Sequence, residues 1–272
     1  MKTAYNTVYR AFFATSMALA LSTGANAEAL TDADDIVGRA NLASYYAGAD
    51  GRSEVRMIIK DAQDRQQRRQ FTVLRRDVED AGDQQFLVVF SQPSDIRNTV
   101  FLVEKHMDRD DDRWLYLPGL DLVKRISAGD KRTSFVGAHY FYEDVSGRRP
   151  SDDTHTLVET NEEFYVLKHV PIEKSTVEFE SYVTWIDRET LLPMKIEYEN
   201  AAGTVYRRVE VLGVETIDDH PTVTVSRVSD LVGGGTTDMQ FRYIKYDIGL
   251  PDEVFTERAL RNPPQQWLTR PE

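Results

Sequence analysis

Polar and hydrophobic residues alternate with a period of two along most of the chain after Gly51, and this alternation predicts β-strands. The predicted strands follow one another about every ten residues, and turn-forming sequences such as Asn200–Gly203 and Gly233–Gly235 separate them. The regular succession of strand, helix and strand that marks a parallel sheet is missing. We therefore predict a mainly β fold of the α+β class, with a single antiparallel sheet of about eleven strands.

One face of the predicted sheet is apolar and the other is polar. In residues 177–185 apolar side chains occupy alternate positions and most of the intervening ones are polar, and residues 194–199 and 239–243 repeat this arrangement. Two other runs, Phe86–Phe90 and Val100–Val103, are apolar at every position. Such continuous runs predict strands that are buried on both faces.

A curled sheet of this size needs cover for its apolar face, and the chain offers few helices to provide it. The clearest helix spans residues 32–47, after the capping-box-like sequence Thr31–Asp34 and before Gly48. The shorter segments 134–145 and 251–260 are the other candidates. An apolar face with so little cover predicts an apolar cavity, and a closed barrel or a sandwich with a filled core fits the same pattern.

The N-terminal segment has the pattern of an export signal. Basic residues precede an apolar stretch at residues 11–21, and the small-residue cleavage pattern Ala25–Ala27 follows. This apolar stretch is too short to span a bilayer as an anchor. We therefore predict a signal peptide at residues 1–27, a single domain at residues 28–272, and a periplasmic location.

Composition narrows the possible functions. The formal net charge is −12 and the sequence contains no cysteine. The acidic balance argues against nucleic acid as a partner, because binding to phosphates requires an excess of Lys and Arg. The lack of cysteine excludes disulfides, thiolate metal sites and cysteine nucleophiles.

No sequence motif assembles catalytic chemistry. The five histidines form no zinc motif, and the P-loop, the dinucleotide-binding glycine motif and the serine-nucleophile motif are missing. Asp108–Asp112 resembles the start of a calcium loop, but Arg113 and Gly119 occupy positions that require Gly and Glu. His139 lies among glycine and aromatic residues, where we assign it a hydrogen-bonding role. We predict that the protein is not an enzyme and has no metal site and no cofactor.

Eight short stretches follow one another in a defined order over most of the chain: Asp112–Pro118, Val123–Ile126, Ser134–Gly137, Tyr142–Asp144, Tyr165–Leu167, Trp185–Thr190, Leu192–Ile196 and Val254–Leu260. Together they resemble the LolA-like family of outer-membrane lipoprotein-sorting proteins. The chain departs from the family pattern at Gly137–Tyr140, where members often have Gly-Ser-Asp-Phe. Because this departure falls in the expected lid, the preferred ligand is expected to differ.

The resemblance implies a half-open barrel, in which one strongly curved antiparallel sheet carries a helical or loop lid over its apolar concave face. It also implies a non-enzymatic carrier that binds the acyl chains of a lipid or lipoprotein and moves them through the periplasm toward the outer membrane. The implied partners are an inner-membrane transporter and an outer-membrane acceptor.

We assign the lipid-binding pocket to the apolar face of the strands, with ordinary core packing as the alternative role of each residue. The strand residues are Trp114, Tyr116, Phe179, Val183, Trp185, Met194, Ile196, Met239 and Phe241, and the lid residues are Phe135, Tyr140 and Phe141. The inward face is ambiguous at Trp114, because Leu115 and Leu117 make the opposite face apolar too. The basic residues near the lid are candidates for contacts with lipid phosphate or for solvated surface: Lys124, Arg125, Lys131 and Arg132.

Two other functions are compatible with the sequence. One is a periplasmic regulator that senses lipids, and the other is a ligand-free accessory subunit of an envelope transporter. A bound lipid would distinguish a carrier from an accessory subunit.

Overall fold

A computed structural model describes residues 29–269, and in this range thirteen strands form one antiparallel sheet. The strands are Asp50–Lys60 (β1), Gln66–Asp77 (β2), Gln84–Gln92 (β3), Val100–Lys105 (β4), Asp112–Leu117 (β5), Leu122–Arg125 (β6), Asp153–Thr160 (β7), Phe164–Pro171 (β8), Ser181–Asp187 (β9), Pro193–Glu199 (β10), Val205–Ile217 (β11), His220–Asp230 (β12) and Thr236–Tyr246 (β13). The predicted fold class is confirmed. The predicted signal peptide at residues 1–27 lies outside the described residues.

The order of the strands explains how the chain covers its own sheet. From edge to edge the order is β6-β5-β4-β3-β2-β1-β13-β12-β11-β10-β9-β8-β7, so the sheet is not closed and its edges are β6 and β7. These edge strands are consecutive in the chain, and residues 126–152 connect them. This connection, here called the lid, crosses one face of the sheet, which we call the inner face.

Within the described residues four short α-helices accompany the sheet: Ala33–Tyr45 (α1), Glu143–Ser146 (α2), Glu257–Arg261 (α3) and Gln265–Leu268 (α4). Single 3₁₀ turns occur at Pro118–Leu120, Ala128–Asp130, Pro150–Asp152, Lys174–Thr176 and Asp252–Phe255. None of the helices within residues 29–269 is long and apolar enough to cross a membrane.

The first helix is fixed at both ends. Its N-cap is Asp32, whose carboxylate accepts a hydrogen bond from the backbone N–H of Asp35 at 2.9 Å. At the other end, Arg75 of β2 donates to the carbonyl oxygens of Tyr45, Ala47 and Gly48, each at 2.6 Å. These bonds satisfy carbonyls that the end of a helix leaves without partners, and they attach α1 to the sheet.

The lid is mostly non-helical, so the prediction of a helix over residues 134–145 is wrong except at its end. Val136 and Gly137 have φ angles of 48° and 81°, in the left-handed region that interrupts a helix. The backbone N–H of Phe135 instead donates to the carbonyl of Tyr140 at 2.7 Å, which closes a tight turn. Helix α2 begins only after this turn.

Both faces of the sheet carry a hydrophobic cluster around β2–β5, as the continuous apolar runs predict. Alternate residues of β3 divide between them: Phe86, Val88 and Phe90 pack under the lid, and Leu87 and Val89 pack on the outer face. The C-terminal segment, residues 247–269, covers the outer cluster with the buried side chains of Leu250, Val254, Phe255, Ala259 and Leu260.

Candidate functional site

A cavity of about 460 Å³ lies between the inner face, helix α1 and the lid. Its volume falls in the range of pockets that enclose small ligands. Side chains from α1, the lid and most of the strands line it. The cavity therefore occupies the space in which the sequence predicts an apolar pocket.

One half of the cavity wall is apolar. It is formed by β2, β3, β11, β13 and the lid, through Phe71, Val73, Phe86, Val88, Phe135, Val209, Met239 and Phe241. Val37 and Ala40 of α1 extend this surface. The mixture of aromatic, aliphatic and methionine side chains suits a flexible apolar ligand, because methionine adapts its shape to the group it contacts.

Polar side chains, which include a histidine pair, form the rest of the wall, here called the polar half: Tyr45, Glu143, Asp144, Arg148, Arg149, His155, His169, Tyr182, Thr184 and Tyr198. Nε2 of His155 donates to the carbonyl of Pro150 at 3.0 Å. Nδ1 of His155 and Nδ1 of His169 share a hydrogen bond of 2.7 Å, and Nε2 of His169 is hydrogen-bonded to the hydroxyl of Thr184. Burial, together with the neighbouring His155, lowers the pKa of His169 to about 3.

The charged groups of the polar half form ion pairs. Arg148 donates through Nε and Nη2 to the two carboxylate oxygens of Asp153, each at 2.8 Å, and the Tyr182 hydroxyl donates to the same carboxylate at 2.7 Å. Glu143 of α2 is buried among three cations, Arg132 at 2.6 Å and Arg148 and Lys131 at 3.4 Å. Burial alone would raise the pKa of Glu143, but these cations lower it to about 2.

Polar contacts hold the lid against the far strands. The hydroxyl of Tyr140 lies 2.7 Å from the hydroxyl of Ser226. The backbone N–H of His139 donates to the Thr237 hydroxyl at 3.0 Å, and that hydroxyl donates to Nδ1 of His139 at 2.8 Å. The hydrogen-bonding role predicted for His139 is therefore confirmed. These bonds connect the lid to β12 and β13.

The twelve predicted pocket residues fall into three groups. Five line the cavity: Phe135, Tyr140, Ile196, Met239 and Phe241. Two lie behind its wall, Phe141 against Arg132 and Arg207, and Phe179 against Tyr182 and Tyr198. The other five, Trp114, Tyr116, Val183, Trp185 and Met194, lie on the outer face of their strands.

The five outward-facing residues result from the alternation of side chains in β5 and β9 and from a bulge in β10. In β5, Leu115 and Leu117 join the inner cluster, which turns Trp114 toward the C-terminal segment. In β9, Tyr182, Thr184 and Ile186 face the cavity, so the alternate residues Val183 and Trp185 face outward. In β10 a β-bulge between Pro193 and Lys195 shifts the alternation, and Met194 joins Trp185 in an outer groove.

The sequence predicts the helix at residues 32–47 as cover for the apolar face, but it does not predict the polar half of the cavity. His155 lies on β7, an edge strand that is largely polar and was not among the predicted strands. His155 and His169 are direct cross-strand partners in the β7–β8 hairpin. A prediction of β7 as the partner strand of β8 would have placed His155 and His169 side by side.

Within residues 29–269, one group of side chains has the spacing of a metal site: Glu104, His106 and Asp112, with ligand atoms within 4.8 Å of one another. Asp112 accepts from Arg109 at 2.8 Å and also pairs with Arg125, and His106 donates to Asp83 at 2.8 Å. His106 and Asp112, two of the three potential ligands, are therefore already engaged by other side chains, and we assign them to an ion-pair network at the β4–β5 turn.

The lid region and most of the sheet match a known family. Residues 82–262 match the model of a family described as uncharacterized proteins. No curated protein matches the chain. The structure of a DUF1329 family protein from Desulfovibrio piger aligns with a TM-score of 0.77 and 27% identity, over 84% of this chain and 97% of the other.

Two further solved structures carry names that point to lipoprotein sorting. A domain from Vibrio parahaemolyticus described as an outer membrane lipoprotein-sorting protein aligns with a TM-score of 0.78 and 25% identity, over 85% of this chain and 98% of the other. A LolA superfamily protein from Nitrosomonas europaea aligns with a TM-score of 0.65 and 19% identity, over 85% of this chain and 100% of the other. These matches confirm the resemblance drawn from the sequence and the LolA-like fold.

Proposed function

Because this chain belongs to the DUF1329 family and has a LolA-like fold, we propose that it is a non-enzymatic carrier of acyl chains. In this proposal the cavity holds the acyl chain of a lipid or lipoprotein while the protein crosses the periplasm toward the outer membrane. An inner-membrane transporter would load the ligand and an outer-membrane acceptor would receive it. The export pattern in residues 1–27 supports the periplasmic location.

The observation that carries the proposal is the partly apolar cavity beneath the lid. A methylene group takes up about as much space as a water molecule, about 30 Å³. A cavity of 460 Å³ therefore holds about 15 such groups, which is the length of one acyl chain. Each buried methylene contributes about 0.8 kcal/mol, so a chain of this length gains about 12 kcal/mol before the cost of association. That cost, about 4 kcal/mol or more, keeps the binding reversible, as a carrier requires.

The test is uptake of the apolar fluorescent dye N-phenyl-1-naphthylamine by matched variants. Phe241→Asp places an unpaired carboxylate in the apolar half of the cavity, and Trp185→Asp places one in the outer groove. We expect the first substitution to weaken dye binding at least about tenfold and the second to change it less than about twofold. Circular dichroism and thermal unfolding confirm that both variants are folded.

Two outcomes would contradict the proposal. If Trp185→Asp abolishes uptake and Phe241→Asp does not, the ligand occupies the outer face. If the wild-type protein takes up neither the dye nor added phospholipid, the cavity is ordinary core space and a ligand-free accessory subunit is the better description.

A further inference from the structure

The cavity wall carries polar side chains beside its apolar ones, so an amphiphilic ligand suits it better than a bare hydrocarbon chain. The polar half includes Tyr45 at the end of α1, Glu143 and Asp144 of the lid, and Tyr198 of β10. An acyl chain alone would leave the hydroxyls of Tyr45 and Tyr198 against hydrocarbon, which is unfavourable for unpaired polar groups. The nature of the polar groups therefore indicates the chemistry of the ligand's head group.

The arginines that line the described part of the cavity wall are already paired with carboxylates. The four arginines that line the described cavity each have a carboxylate partner: Arg52 with Glu54 at 2.9 Å, Arg75 with Asp77 at 2.8 Å, Arg148 with Asp153 at 2.8 Å and Arg149 with Asp152 at 2.8 Å. Arg207, behind the wall, pairs with Asp144 at 2.5 Å, and its other two nitrogens are sealed from the cavity. A carboxylate or phosphate would therefore enter without a counter-charge of its own.

Two hydroxyl donors of the polar half are without partners among residues 29–269. Its other hydroxyls are bonded: Tyr182 to Asp153, and Thr184 to His169. Tyr45 and Tyr198 both line the cavity, their hydroxyls make no hydrogen bond, and neither oxygen is among the sealed polar atoms. These hydroxyls can donate to a ligand atom in the cavity.

The backbone at Gly147 leaves space for the ring of Tyr45. A Cβ at position 147 would lie 2.4 Å from Cζ of Tyr45 and 2.8 Å from its hydroxyl oxygen, so only glycine fits beside it. Gly147 also has a φ of 76°, a conformation that glycine adopts readily. Burial and the nearby Asp144 raise the pKa of Tyr45, and burial raises the pKa of Tyr198, so both hydroxyls keep the protons that they donate.

We propose, on the basis of the proposed carrier function, that the ligand is an uncharged acyl ester whose carbonyl oxygen accepts hydrogen bonds from the hydroxyls of Tyr45 and Tyr198. The acyl chain lies in the apolar half, and the ester lies in the polar half. A free fatty acid is disfavoured, because the arginines of the described wall that could neutralise its carboxylate are already paired with carboxylates of the protein. Discrimination thus comes from the two hydroxyl donors, which fit the ester, and from these ion pairs, which leave an anion without a counter-charge.

The test is displacement of bound N-phenyl-1-naphthylamine at pH 8 by two probes with the same acyl chain, monopalmitoylglycerol and palmitate. We expect monopalmitoylglycerol to displace the dye at a concentration at least about tenfold lower than palmitate. Tyr45→Phe and Tyr198→Phe should each weaken monopalmitoylglycerol about three- to tenfold, with little effect on the dye or on palmitate. Tyr46→Phe is the matched control, because the Tyr46 hydroxyl donates to the Gly82 carbonyl outside the cavity wall.

The outcomes separate this proposal from the carrier function. If palmitate binds as tightly as the ester, or if both Tyr→Phe variants bind the ester as the wild type does, the head-group assignment is wrong and the carrier function stands. If the wild type binds neither the dye nor either probe, both proposals fail. A dipalmitoylated cysteinyl peptide, added as a third probe, separates the two sources of acyl esters: tighter displacement by the peptide indicates an acylated protein, and tighter displacement by monopalmitoylglycerol indicates a free glycerolipid.

Discussion

Phe135 is the side chain that joins the lid to the core, and its replacement by alanine should be strongly destabilising. The side chain is 1% exposed, and four aromatic rings surround it, with centroids 6.2 Å away for Phe71, 5.8 Å for Phe90, 5.5 Å for Phe101 and 5.5 Å for Tyr142. Loss of a buried phenylalanine costs about 3–5 kcal/mol, and aromatic pairs at these distances add to the loss. We expect Phe135→Ala to lower the free energy of unfolding by about 4–5 kcal/mol.

Urea unfolding followed by tryptophan fluorescence measures this change. Phe135→Leu, which keeps most of the volume, should cost less than about 1.5 kcal/mol. Leu120→Ala, at a side chain that is 73% exposed, should change the free energy of unfolding by less than about 0.5 kcal/mol. If Phe135→Ala costs less than about 1.5 kcal/mol, the lid does not unfold together with the sheet, and its assignment to the core is refuted.

Two further predictions concern buried ionisable groups. Glu143→Gln leaves three cations without their shared carboxylate and should cost about 3–5 kcal/mol at pH 7. Because the pKa of Glu143 falls from an ordinary 4.5 to about 2 on folding, the stability that its carboxylate contributes is complete above pH 4.5 and is lost as the pH falls toward 2. In urea unfolding, the difference in free energy of unfolding between the wild type and Glu143→Gln should therefore decrease as the pH falls across that range. A difference that does not change with pH would refute the ion pairs assigned to Glu143. On folding, the pKa of His169 falls from 6.5 to about 3. The free energy of unfolding of the wild type should therefore fall by about 2 kcal/mol through this residue between pH 7 and pH 5, and that of His169→Gln should not. An equal decrease in both proteins would contradict a buried, neutral His169.

Much of the fold follows from the sequence because strand periodicity is a local property. Phe86–Phe90 is apolar at every position, and the structure buries it on both faces, as predicted. The outer cover could not be predicted in the same way. Nothing in the local sequence of Leu250–Leu260 indicates that this segment packs on the outer face of β2–β5 and not on another apolar surface. The contact joins residues that are far apart in the chain, so local periodicity does not reveal it. The edge strand β7 was missed because exposed polar side chains weaken the apolar alternation.

The candidate site was harder to predict, because alternation gives two faces without saying which is inner. In β9 one face carries Val183 and Trp185 and the other carries Tyr182 and Ile186, so both are hydrophobic enough to be buried. A one-residue change in register exchanges the two sets completely. In β13 the alternate residues Gln240 and Arg242 are polar and leave one choice of inner face, and Met239 and Phe241 do line the cavity.

The most direct test of the carrier function is native mass spectrometry of the protein released from the periplasm without detergent, with lipid extraction of the same sample. We expect a stoichiometric adduct with the mass of an acyl lipid, present in Trp185→Asp and lost in folded Phe241→Asp. An unliganded mass in the wild type, unchanged after incubation with phospholipid and monopalmitoylglycerol, would contradict it.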